Sequence, residues 1–142
     1  MTKMPLIGLL LLASIGAFAK DIPEHLVPSV VVNSFKQTFP KASHVEWELK
    51  KGGIYEVEFD LNFYDEYEAL YTPEGKLLRY EVEIHKKDLP EAIVQRLQQD
   101  FLDYHIDDVE KIVENEIETY RVEIEKGKEE RHLHFSSEGE IL

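Results

Sequence analysis

His132 and His134 stand two apart near the C-terminus, and on a strand that spacing sends both rings to one face, where they can share a metal ion. It is the one histidine pair with useful spacing, and spacing assigns it no third ligand. Carboxylates are the second candidate: Glu46 with Glu48, Glu56 with Glu58, Glu81 with Glu83, and Glu123 with Glu125 all form Glu-x-Glu pairs. Acid-base hydrolysis needs one acid of a pair to hold a proton inside a pocket, whereas these alternate as the solvent side of a strand does. Asp60, Asn62, Asp65 and Glu66 offer oxygen ligands for Ca²⁺, but without the central glycine and closing glutamate of a calcium loop they read as a decorated hairpin.

Other chemistry lacks its residues. The chain has no cysteine and no Gly-x-Ser-x-Gly, so no nucleophile is marked, and its seven glycines are scattered through the apolar N-terminus and the turns rather than gathered in a phosphate loop. No cofactor and no catalytic residue are expected. Phe63, Tyr64 and Tyr67 lie in or beside a turn among acids, and exposed aromatics in that setting serve as interface anchors. The competing reading folds them back over the hydrophobic edge of the protein.

These residues are positioned by a sequence that repeats itself. Val27-Pro28 followed by Val31, Val32, Phe35 and Phe39 returns as Leu89-Pro90 followed by Ile93, Val94, Leu97 and Phe101. Tyr55-x-Val57-Glu58-Phe59 returns as Tyr120-x-Val122-Glu123-Ile124, and Tyr71-Thr72-Pro73-Glu74-Gly75 returns as Phe135-Ser136-Ser137-Glu138-Gly139. A period of this length duplicates a whole structural unit.

Within each unit a helical apolar stripe comes first, from Pro28 to Pro40 and from Pro90 to Tyr104, with Asp88 ahead of the second as an acceptor for its amides. Period-two alternation follows, predicting strands at Val45–Leu49, Tyr55–Leu61, Tyr67–Tyr71 and Leu77–Ile84, then at Val109–Glu114, Thr119–Glu125, Arg131–Ser136 and Glu140–Leu142. The expected fold is α+β: two tandem helix-plus-four-stranded antiparallel units, 27–85 and 86–142, with both helices on one face of a continuous sheet. The other face is expected to be wet and to carry Glu56, Glu58, Arg79, Arg121 and the remaining out-of-phase polar residues.

Residues 1–19 read as a secretory signal, with Lys3, an apolar run from Leu6 to Phe18 and Ala17-Phe18-Ala19 as the cleavage site. Residues 20–26 are expected to be a mobile lead-in. A formal charge of −13, one unit more negative once Lys3 is removed, disfavours nucleic acid and anionic membrane surfaces and favours a basic partner.

The doubled helix with its leading proline, the Tyr-x-Val-Glu strand and the terminal Glu-Gly hairpin together resemble the PepSY-like, β-lactamase-inhibitor-like family of exported bacterial proteins. That resemblance implies tandem helix-plus-four-strand units in the periplasm or outside the cell. The expected function is a non-enzymatic binding module, inhibitor-like by analogy, that holds a protein or peptide on its open sheet face through Phe63, Tyr64, Tyr67, Glu56, Glu58, Arg79 and Arg121. A cation or small-molecule binder using His132 and His134 is the alternative.

Overall fold

The computed structural model describes residues 19–62 and 65–142. The signal-like segment up to residue 18, and Phe63 and Tyr64 in the predicted aromatic turn, lie outside the described residues.

Two ten-residue helices form where the apolar stripes are, α1 at Ser29–Thr38 and α2 at Glu91–Asp100. Each is led in by a proline whose missing N–H costs nothing at a helix start. The Pro28 carbonyl accepts from the amides of Val31 and Val32, and the Pro90 carbonyl from those of Ile93 and Val94. The expected Asp88 cap does not form, because Asp88 belongs to a 3₁₀ turn at Lys86–Asp88 and α2 has no side-chain cap. Nor does α2 reach Tyr104. Phe101 leaves the helix at φ −134°, ψ 40°, and its ring meets Tyr104 edge-on at 5.8 Å.

Eight strands build one antiparallel sheet in chain order: β1 Lys20–Ile22, β2 Ser43–Leu49, β3 Tyr55–Asp60, β4 Glu66–Tyr71, β5 Leu77–Glu83, β6 His105–Glu114, β7 Ile117–Lys126 and β8 Glu129–Ser136. Two boundaries differ from expectation at the ends of the chain. The lead-in is not irregular throughout, since Lys20–Ile22 pairs with Trp47–Leu49 of β2 before Pro23, which has no amide to continue the ladder, ends the pairing. Glu140–Leu142 contributes a single bridge between Phe135 and Ile141 instead of a strand. β6 also starts earlier than expected, at His105, because a register shift between Ile106 and Asp108 lets the strand extend past the break in alternation.

The apolar phase of the strands and the helix stripes share two core clusters. In the first, Val31, Val32 and Phe35 of α1 join Trp47, Val57, Phe59, Ala69 and Tyr71. The Phe35 ring sits 4.9 Å from Phe59 and 5.3 Å from Trp47, edge-on to both. In the second, Ile93 and Leu97 of α2 join Val109, Tyr120, Val122, Ile124 and Phe135. The two halves are joined covalently and through the β5–β6 ladder, which pairs Arg79–Glu83 with Glu110–Glu114.

Candidate functional site

Residues directly opposite one another in an antiparallel ladder share a face, so the register decides which acids are neighbours. It lines up Glu46 with Glu58, Glu58 with Glu68, and Glu68 with Glu81. Four glutamates on four adjacent strands thus form one row on the face opposite Trp47, Val57 and Ala69. Strand spacing sets neighbouring members about 4.8 Å apart, and like charges at that separation destabilise a sheet. The row continues into Ile112, Thr119 and Ser136.

Cations on the flanking rows offset part of this. Lys50 Nζ lies 2.7 Å from carboxylates of both Glu48 and Glu56, Arg79 pairs with Glu81, and Arg121 pairs with Glu110. Burial works against the Lys50 ammonium, but the hydrogen bonds and charges of Glu48 and Glu56 outweigh it and hold the proton more firmly than usual. Within the row, burial and the charges of Glu56 and Glu81 push Glu68 up to about 8. Burial, then Glu56 and Glu48, raise Glu58 as well. Part of the row is therefore protonated near neutrality.

The wet face is not uniformly wet. Glu56 is only 7% exposed and Ile112 only 5%, because Ile112 lies in the glutamate row and Leu70 sits between Glu56 and Arg79 in the next one. Two shallow clefts open along the acids. One of about 440 Å³ runs from Asp21 and Glu24 to Glu46, Glu48, Glu56 and Glu58. The other, of about 170 Å³, is bounded by Glu58, Glu66, Glu68, Glu81, Glu83 and Glu110.

Of the residues predicted to bind, Glu56, Glu58, Arg79 and Arg121 are brought onto this face. Tyr67 is not. It pairs with Phe59 and Val82 on the core side, stacks on Phe59 at 5.5 Å and lies 6.3 Å from Phe39, so its ring folds back over the apolar edge. The two histidines project from one face but do not converge. His132 has Nε2 2.8 Å from Glu130 and Nδ1 3.6 Å from Glu123, while His134 Nε2 is 2.8 Å from Thr119 Oγ1. Burial and then the charges of Arg121 and Arg79 depress the His134 pKa. Sequence reasoning missed the continuous glutamate row and the role of Lys50. The alternating acids signalled the face, but only the register shows which of them touch.

The raised carboxylates of this face owe their shift to burial beside other carboxylates on an open surface.

No curated protein matches the chain. Several solved structures share its fold. A BLIP-like protein from Bacteroides fragilis is 24% identical with a TM-score of 0.68, over 80% of this chain and 82% of that one. A "putative periplasmic" protein from Bacteroides eggerthii is 19% identical with a TM-score of 0.71, over 82% and 86%. A DUF2874 family protein from Bacteroides ovatus is 17% identical with a TM-score of 0.72, over 87% and 86%. No helix among the described residues is long and apolar enough to cross a membrane. The family described as "Putative beta-lactamase-inhibitor-like, PepSY-like" matches twice, at residues 15–79 and 60–142. The chain therefore belongs to the PepSY-like, beta-lactamase-inhibitor-like family.

Proposed function

We propose that the protein is an exported, non-enzymatic binding module that holds a basic protein or peptide segment on its acidic sheet face, in the manner of an inhibitor. The observation that carries this reading is the row Glu46, Glu58, Glu68 and Glu81, four opposed glutamates among which burial and crowding keep the proton on Glu68 near neutrality, with Arg79 paired to Glu81 at one end; a basic group set against the row would let it ionise. Lys50 between Glu48 and Glu56 is an internal example of the ammonium such rows accept. In this reading the units are 27–85 and 86–142, with α1 and α2 over the opposite face. The segment 1–19 is removed on export. Phe63 and Tyr64 extend the contact at the turn that Tyr67 roots to the core.

Purified protein is used to capture partners from cell-envelope extract, alongside a Glu46→Gln/Glu58→Gln variant and a Phe63→Ala/Tyr64→Ala variant. Basic partners recovered by the wild type and depleted by both variants support the reading, as does loss of capture in added salt, which screens exposed charge pairs. Equal recovery by all three proteins would remove the acidic face and its turn from the binding site.

A further inference from the structure

Beyond the glutamate row, the far end of the same face holds a different set of side chains. The ladder pairs His105 with Glu125 and Glu125 with Glu130, and in the next row Asp108 with Glu123 and Glu123 with His132. Two histidines therefore occupy diagonal corners of a small grid across β6, β7 and β8, with carboxylates between them. The register shift at Ile106/Asp108 leaves Asp107 unpaired, and a bulged residue of this kind re-aims its side chain. One donor atom each from His105, Asp107 and Glu125 lie within 4.8 Å of one another, and so do donors from Glu123, Glu130 and His132.

The nearby basic residues do not neutralise this grid. Lys126 and Arg131 belong to the opposite phase of their strands and sit over the Tyr104 ring at 5.8 and 5.4 Å.

We propose that this end of the sheet is a divalent transition-metal site, with Glu123, Glu130 and His132 as one ligand set and His105, Asp107 and Glu125 as the set beside it. The chemistry of the donors selects the ion class. Neutral imidazole with carboxylates suits Zn²⁺ and its neighbours, whereas Ca²⁺ and Mg²⁺ take oxygen alone and have no use for the histidines. Donors held ~2.1 Å from a common ion lie ~3–4 Å apart, and donors already within 4.8 Å of one another close to that spacing by side-chain adjustment without movement of the strands. In the Glu123–Glu130–His132 set the metal takes the place of the contact now made between the His132 ring and the Glu130 carboxylate, and water completes the shell. The site needs His132 and excludes His134, which is engaged with Thr119.

Zinc alone is titrated into the purified protein by calorimetry at neutral pH, with Ca²⁺ as competitor, and the histidine ring signals are followed by NMR. Saturable Zn²⁺ binding that falls at least tenfold in His105→Ala/His132→Ala and is unchanged in His134→Ala is the expected result, with the His105 and His132 signals moving. Absence of saturable binding would overturn the site. So would an equal loss in His134→Ala, or displacement by a tenfold excess of Ca²⁺, which would reduce the cluster to general acidity. These readouts need no protein partner, so they stand or fall independently of the capture experiment.

Discussion

Gly75 packs its backbone against the carbonyl of Val30 in α1, so closely that a Cβ on Gly75 would lie 2.8 Å from that oxygen. Gly139 does the same against Ala92 of α2, at 2.7 Å. Both glycines have φ near +85°, the region that disfavours a side chain. The repeated Glu-Gly turn is thus the point at which each terminal hairpin touches its helix. Gly75→Ala and Gly139→Ala are each expected to cost about 2–4 kcal/mol, from backbone strain and the forced clash. Gly127, at φ +62° with nothing near a built Cβ, is the control and should lose only about 1 kcal/mol on substitution. Urea denaturation of the three variants checks the order.

Lys50 is expected to matter more than an ordinary surface cation, since it pairs with Glu56, whose side chain is 9% exposed. Lys50→Met leaves that carboxylate buried without its ion pair, and a loss of about 2–4 kcal/mol follows. Adding Glu56→Gln should restore at least half of it. A double-mutant cycle measures this coupling, and additive losses would refute it.

Acidity should stabilise the fold over a defined window. Folded Glu68 keeps its proton up to about 8, against the ordinary 4.5, so the native state binds more protons across that interval and stability falls as pH rises through it. Glu58 acts in the same direction. His134, with its pKa depressed, acts oppositely and loses stability as pH drops through the normal histidine range. The comparison of wild type with Glu68→Gln isolates the carboxylate. After allowance for solvent screening, the variant should gain about 1–2 kcal/mol at pH 8 relative to pH 5. Identical pH profiles would show that the row carries no such proton.

The continuous sheet should make the two cores unfold together. Phe35→Ala removes the ring at the centre of the first cluster and is expected to cost about 3–5 kcal/mol, with Ile93→Ala in the second costing about 2–5 kcal/mol. Through the β5–β6 ladder each substitution should lower a single shared transition. Two separated transitions in calorimetry would mean that the halves fold independently.

Much of this protein was legible in the linear order of its residues, because the signals are local. Proline-led apolar stripes at helical spacing mark α1 and α2, and strict alternation around Trp47, Val57 and Val122 marks strands and their buried sides. Glycines mark most of the turns at which the backbone enters positive φ, although His44, Asn115 and Glu116 enter it without one. Contacts that depend on register were not legible. Alternation says that Glu46, Glu58, Glu68 and Glu81 are on the outer phase of their strands, but only the pairing of four separate strands makes them one row, and only the assembled sheet buries Glu68 beside Glu56 and Glu81 and so raises its pKa. The same holds for His132, which spacing matched with His134 and the ladder matched with Glu123. It holds too for Tyr67, whose ring is drawn inward because Phe39 and Phe59 offer apolar surface that no local pattern around Tyr67 records. Local periodicity determined which side chains are outside; the long-range pairing of strands decided which of them meet.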